Sequence, residues 1–318
     1  MNKIEEVIHH QRKYAVFPIV CADHCAFLLK RDFKEVAKNG EKLAEVLEYG
    51  YRLYGYDMIL IFSDPYVEAE AMGCKIEYAP YPRLVFGAKN LNKFTPADFE
   101  LDQNRTKEII KAAKILKRSV DVPIFVSIKG PFTLASFIYG IEKFLRLLLN
   151  DETKAALLID IALNFQLVYL TRLLKTGAHI FIGDPMASTS IISPQVFKKF
   201  AQEPLRILIE KIKEAGLFAG IHICGDTKPI IDLLEDLNAD ILSIEDVSLE
   251  TKTTKMGGVS TLTLLHGTPD EIKREIKKAV STDRLILSSS CDVPVNTLVE
   301  NIKLMVAAIN DKDKFKNS

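Results

Sequence analysis

The chain of 318 residues has no tryptophan and only five cysteines. So few cysteines, and an odd number of them, do not make a disulfide framework and point to a reducing compartment. Neither sign of charge is in excess: 42 Lys+Arg face 42 Asp+Glu, for a formal net charge of zero. That balance leaves no electrostatic footprint for nucleic acid and no basic block for a membrane surface. Long apolar runs are missing too. The opening MNKIEEVIHHQRKY has no apolar signal region, and no uninterrupted run reaches the roughly 18 apolar residues of a membrane span. A soluble, cytoplasmic protein with neither nucleic acid nor membrane as partner is expected. No Gly/Ser/Pro-rich linker and no short repeat divides the chain, and Gly130 in Lys129-Gly130-Pro131 lacks phosphate-loop spacing.

What is present suits a folded core: 48% of residues are hydrophobic and 26% charged, which makes disorder unlikely on composition. Apolar runs alternate with amphipathic stretches in the rhythm of βα units. Strands are predicted at Tyr14–Cys21, Asp57–Ser63, Pro123–Lys129, His179–Asp184, Phe218–Cys224, Asp240–Asp246, Gly257–Thr261 (a weaker pattern) and Arg284–Ser290. Helical patterns cover Asp32–Tyr54, Glu142–Leu174, Pro194–Ala215 and Pro269–Val280. Eight parallel strands with helical crossovers predict an α/β fold of the (β/α)8 TIM-barrel type. A lead-in helix is expected over residues 1–13, and an inserted region over Tyr66–Val122 with a helix at Arg105–Arg118, placed to cover the barrel mouth. A polar tail should fray beyond Val306. The whole of 1–318 reads as one domain.

TIM-barrel active sites lie at the carboxyl ends of the strands. Polar or reactive residues finish several predicted runs: Asp64, Asp184, His222 with Cys224, Glu245 with Asp246, and Cys291. In GIHICGD (Gly220–Asp226), His222 and Cys224 are two apart on a strand and share a face. Cys291 closes the run RLILSSSC. Two thiolates and one imidazole suit Zn²⁺ and leave one coordination position open. The alternative is that His222 and Cys224 are small buried core residues. Glu245 either completes the shell until a thiol displaces it or is a solvated carboxylate near the site. Such a metal site lowers the pKa of a bound thiol, which favours alkyl transfer to sulfur over hydrolysis. Asp226 reads first as a helix cap, and Asp64 either caps the following helix or is a catalytic candidate that contacts the reactants. Cys21, His24 and Cys25 form a C-x-x-H-C cluster that reads as buried or pocket-lining, and Cys74 as buried.

Segments spread over nearly the whole length resemble the uroporphyrinogen decarboxylase superfamily. They are DPYVEAEAMGC (Asp64–Cys74), KGPFTLASFIYG (Lys129–Gly140), IGDPMASTSIISPQVFKKF (Ile182–Phe200), GIHICGDTKPIIDLLEDLNADILSIED (Gly220–Asp246), HGTPDEIKREIKKAV (His266–Val280) and SSCDVPVNTLVENIKLMV (Ser289–Val306). Within that superfamily the chain is most similar to the corrinoid-dependent methyltransferases of the methylcobalamin:coenzyme M type. His-x-Cys with a distant Cys separates that branch from the decarboxylases. The resemblance implies a TIM barrel, zinc on His222, Cys224 and Cys291 with Glu245 as exchangeable ligand, and a pocket role for Asp184, with Ser188 and Thr189 on the rim. It implies methyl transfer from a methylated corrinoid (methylcobalamin), carried by a partner corrinoid protein, to a small thiol such as coenzyme M. Tetrahydrofolate is an alternative acceptor, and a catalytically silent zinc-binding component of a methyltransferase complex is the non-enzyme alternative. A tetrapyrrole decarboxylase is the remaining reading. Phe62-Ser63-Asp64 matches the segment whose aspartate gathers the pyrrole N–H groups in decarboxylases, but FPIVCADHCAF (Phe17–Phe27) lacks the arginines that bind the substrate's carboxylates.

Overall fold

The computed structural model describes residues 1–88, 101 and 105–310. Ten strands are present among them: β1 (Tyr14–Val16), β2 (Ile59–Ile61), β3 (Lys75–Tyr78), β4 (Pro82–Phe86), β5 (Ile124–Lys129), β6 (His179–Gly183), β7 (Ala219–His222), β8 (Ile241–Ser243), β9 (Thr254–Val259) and β10 (Leu285–Ser289). Eight of them form one parallel sheet in the order β1-β10-β9-β8-β7-β6-β5-β2, with helices in every connection between its successive strands except that from β8 to β9, which is the (β/α)8 TIM-barrel arrangement. Their side chains are buried on both faces, so the strands read as continuous Val/Ile/Leu runs rather than alternating ones.

The seam between β1 and β2 has no strand ladder and is bridged by single backbone bonds together with one carboxylate. The Asp57 N–H donates to the Val16 carbonyl at 2.9 Å, and the Val16 N–H donates to Asp57 Oδ2 at 2.8 Å. Lys3 Nζ, at the start of the lead-in helix Lys3–Ile8, pairs with Asp57 Oδ1 at 2.8 Å. Ile4 and Val7 of that helix are buried, so an ionic contact and an apolar contact together hold it to the barrel.

The eight predicted strands are all present; seven are shorter than expected, and the weakly patterned one is shifted and one residue longer. The weakly patterned strand starts at Thr254 and ends at Val259, because Ser260 accepts from the Leu262 and Thr263 N–H groups and starts a helix at Thr261. Asp32–Tyr54 divides into Phe33–Ala37 and Gly40–Tyr54, because Asn39 accepts from Glu41 and Lys42 N–H and caps a new helix. Asp151 splits Glu142–Leu174 in the same way, into Ile141–Asn150 and Glu152–Leu174. The inserted region contains, besides its helix Arg105–Ser119, the antiparallel hairpin β3–β4. The last helix runs Val299–Asn310, so 307–310 are helical; the rest of the predicted tail, 311–318, lies outside the described residues. Helix Glu152–Leu174 is long and apolar enough to cross a membrane, yet Leu158, Ala162, Phe165, Tyr169 and Leu173 are buried in the fold, as in a core helix.

At the amino end of β6, His179 accepts a hydrogen bond from the Phe218 N–H through Nδ1 at 3.1 Å, between the rings of Phe125 and Phe218. Burial, followed by the nearby Lys117 charge, pushes its pKa from the ordinary value down to about 4. The neutral ring is therefore the folded form, and between pH ~6.5 and ~4 the unfolded chain binds the extra proton. Stability should fall as pH drops through that window, with His179 accounting for about 2–3 kcal/mol of the loss. Urea denaturation of wild type and His179→Phe between pH 7 and pH 4 checks this: the variant should show a shallower acid-side decline, and parallel declines would refute it.

Candidate metal centre

Four neighbouring strands end at one height. Lys129 on β5 is in register with Gly183 on β6, Gly183 with His222 on β7, and His222 with Ser243 on β8. The row places the His222 imidazole beside the Ser243 hydroxyl, with Nδ1 and Oγ 3.0 Å apart. A hydrogen bond through Nδ1 leaves Nε2 as the outward nitrogen, 3.0 Å from Cys224 Sγ. Cys291 enters from a loop two residues beyond β10. That loop is tied to the exit of β1 by Ile19 N–H on Ser289 Oγ (2.9 Å) and Val293 N–H on the Ile19 carbonyl (2.9 Å). The ligand atoms of His222, Cys224 and Cys291 all lie within 4.8 Å of one another, the one such group among the described residues.

The electrostatics match two thiols sharing a proton. The Cys224 thiol is held below its ordinary pKa, first because Cys291 hydrogen-bonds to it and then by the Lys129 charge. Cys291 is pushed up by the same shared bond and by burial. One imidazole nitrogen and two sulfurs, half-buried and converging, fit the donor set of a zinc site with an open position. The imidazole is already oriented by a hydrogen bond on its far nitrogen, as metal-binding histidines are.

Glu245 stands outside this group of three. Its Oε1 accepts the Gly225 N–H at 2.6 Å and so braces the turn after Cys224. Gly225 has φ +74, and a Cβ there would lie 2.4 Å from Ser190 Oγ, so the turn requires glycine on both counts. The rim residues Thr189 and Ser190 hydrogen-bond the Asp226 carbonyl and N–H, clasping the β6 and β7 loops. Asp226 Oδ1 accepts from Lys228 N–H at 3.0 Å, which makes a turn one residue ahead of the cap; the cap position itself is Thr227, whose side chain makes no capping bond.

Asp184 lies one residue beyond the end of β6, at the start of the turn Pro185–Ala187, and is 0% exposed. Its Oδ1 accepts the Thr133 N–H at 2.7 Å, at the start of helix Pro131–Tyr139. Burial pushes its pKa up to about 6. Asp64, besides accepting the Tyr66 N–H at 2.9 Å, is clamped by the guanidinium of Arg105, whose Nη2 lies 3.3 Å from Oδ1 and whose Nη1 bonds Oδ2. Arg105 also pairs with Glu70 and is 5% exposed. The cluster near the first strand divides: Cys21 lines the cavity at the site, His24 joins the Val295 carbonyl (2.9 Å) and the Tyr54 hydroxyl (2.7 Å), and Cys25 is buried. Cys74 is buried as expected.

A cavity of about 210 Å³ opens beside the soft donors, with Ile19, Leu60, Phe62 and Phe181 as apolar walls. Cys21, Lys129 and Asp292 also face it. Three residues here escape a motif-based reading. Ser243 lies inside a family-like segment without a role of its own and Lys129 only heads another, and strand register is what brings them to the site. Arg105 comes from the insertion, and no sequence spacing ties it to Asp64.

A barrel with its reactive groups gathered at the carboxyl ends of the strands defines an enzyme of the TIM-barrel class. The family profile Uroporphyrinogen decarboxylase (URO-D) matches residues 12–312, and the chain belongs to that family. A methylcobamide:CoM methyltransferase, MtaA of Methanosarcina barkeri, is 30% identical over 298 residues, spanning 86% of this chain and 85% of that protein. A uroporphyrinogen decarboxylase of Thermodesulfovibrio yellowstonii is 28% identical over 306 residues, spanning 89% and 87%. The solved structure of a methyltransferase from Methanosarcina mazei superposes with TM-score 0.87 at 26% identity, covering 98% of this chain and 97% of that one. With methyltransferases similar to it in both sequence and structure, the chain is an enzyme of the methyltransferase kind.

Removing one partner of a buried ion pair strands the other charge. Arg105→Met should lower unfolding stability by about 3–5 kcal/mol. The urea midpoint measures it; a midpoint within error of wild type would mean that Asp64 finds solvent.

Proposed function

We propose that the protein transfers a methyl group from a methylated corrinoid, presented by a partner protein, to a small thiol. The observation that carries this reading is the convergence of His222, Cys224 and Cys291 within 4.8 Å beside the cavity at the barrel mouth. Bound there, Zn²⁺ would lower the pKa of the acceptor thiol so that a thiolate nucleophile exists at neutral pH.

The chain's own groups prepare that event. Ser243 fixes the imidazole so that Nε2 faces the two sulfurs. Holding the metal, Cys224 and Cys291 would serve as thiolates, their thiol protons lost to solvent, and would keep a neighbouring acceptor sulfur electron-rich. Glu245 holds Gly225 and thereby the position of Cys224, and the carboxylate that could exchange with an incoming thiol is this same group. The apolar walls exclude water, which would otherwise solvate and blunt the nucleophile. In the overall reaction the S–H bond breaks and its proton leaves to solvent. An S–CH₃ bond forms, and the cobalt–carbon pair of electrons stays on cobalt.

The size of the cavity favours a small acceptor over a folate or a tetrapyrrole, since about 210 Å³ is below the roughly 300–1,000 Å³ of pockets that hold drug-sized ligands. The Asp64 carboxylate, occupied by Arg105, weighs against the decarboxylase reading, as does the absence of arginine in Phe17–Phe27.

Purified protein should contain about one zinc per chain and should methylate a thiol when given methylcobalamin. Cys291→Ala should lose both while its circular dichroism stays that of the folded barrel. Elemental analysis and thioether detection give the readouts. Full zinc content in Cys291→Ala would refute the ligand set, and metal-loaded wild type inert toward every thiol would refute the reaction.

A further inference from the structure

Three of the five cysteines line one cavity, Cys21, Cys224 and Cys291, while Cys25 and Cys74 are buried away from it. Cys21 is 1% exposed, and its thiol turns back toward the Ile19 carbonyl, 3.8 Å away. Cys224 and Cys291 are only half-buried, and their sulfurs lie within 4.8 Å of each other. A small sulfur compound that enters the cavity therefore meets two accessible thiols side by side.

The two are held differently. Cys224 precedes the Gly225 turn, which Glu245 braces through its 2.6 Å bond with the Gly225 N–H. Cys291 lies two residues beyond β10, outside the ladder, and its nearest polar neighbour is Asp292 of the same loop, with Oδ1 2.9 Å from Sγ. The short movement that joins the sulfurs falls on Cys291. Thiols this close suit thiol–disulfide exchange, in which a second sulfur resolves the mixed disulfide formed by the first.

We propose that Cys224 and Cys291 form a modification site for small organic disulfides, the oxidised counterparts of the acceptor thiol, and that their oxidation to a cystine bridge empties the metal centre. One cysteine sulfur attacks a sulfur of R–S–S–R; that S–S bond breaks, and R–SH leaves with the cysteine's proton. The other cysteine attacks the protein-bound sulfur, and a second R–SH leaves with its proton. The chain loses two electrons and two protons, and the organic disulfide gains them. When the pair holds zinc as thiolates, solvent supplies the two protons. With both sulfurs in the bridge, His222 is the one donor left of three, too few to retain zinc. The enzyme thus reads the thiol–disulfide ratio of its acceptor pool through the cavity that serves catalysis. The proposal rests on the ligand set and, for its class of disulfide, on the thiol-acceptor reading.

The test uses 2-hydroxyethyl disulfide. Metal-free wild type should lose two hydrogens in intact mass and keep no adduct, with peptide mapping linking Cys224 to Cys291 and dithiothreitol reversing the change. Cys224→Ala and Cys291→Ala should each retain one mercaptoethanol adduct on the remaining cysteine, because the resolving sulfur is gone. Cys21→Ala should form the bridge as wild type does. Zinc-loaded wild type should release about one zinc per bridge, read with a chromogenic chelator. Two persistent adducts in wild type, a bridge mapped to Cys21, a pair that stays reduced, or zinc retained on bridged protein would each overturn the proposal. The wild-type measurements decide it even should the variants not fold. Bridge formation in protein that methylates no thiol supports the modification site and sinks the methyl-transfer reading. Thiol methylation without bridge formation overturns the modification site and leaves that reading standing.

Discussion

The site depends on parallel strands ending in register. In a parallel ladder each residue's height along the barrel is fixed by its neighbour's, so a shift of one residue would turn a side chain from cavity to helix layer. Lys129, Gly183, His222 and Ser243 form such a row. A cation, a gap, a metal-competent imidazole and the hydroxyl that orients it then follow one another around the mouth. Cys224 projects from the same face two residues further on. Cys291 completes the group because its loop is hydrogen-bonded to Ile19 at the exit of β1. Closure of the barrel brings the last strand back beside the first.

On its other side β1 meets β2 without a ladder, through a few backbone bonds and one side chain. Asp57 replaces a rung of ladder between β1 and β2, and it recruits Lys3 of the lead-in helix as counter-charge. The insertion after β2 is held at the other end of the barrel by a second buried ionic contact, Arg105 with Asp64 and Glu70. Asp64 sits between the two readings of the family. The residue type and its place at the strand end agree with the decarboxylase pattern, while the guanidinium that reaches it occupies its carboxylate.

The strand pattern was legible because buried parallel strands are written as short apolar runs, and the polar residues that end them mark the functional end of the barrel. Helix breaks were less legible. Asn39 and Asp151 interrupt apolar periodicities that continue on either side, and only their side-chain caps reveal the break. The roles of the carboxylates were the least legible. Glu245 and Asp184 lie where strand ends place them, yet one braces the Gly225 turn and the other holds the start of a helix. Which partner a carboxylate takes depends on backbone N–H groups from other elements, and these have no local sequence signal.

By itself, then, the order of residues determined the class of fold, the height of His222 and Cys224 on one strand and the identity of the soft donors. Periodicity and spacing are local properties, and local properties survive in a linear string. Tertiary structure alone decided that Cys291 meets them, that Ser243 orients the imidazole, that Arg105 covers Asp64 and that Lys129 faces the cavity over Gly183. Each of those contacts joins residues from different strands or loops. They arise only when the barrel closes and fixes strand register, because hydrogen-bond geometry then dictates which side chains share a level.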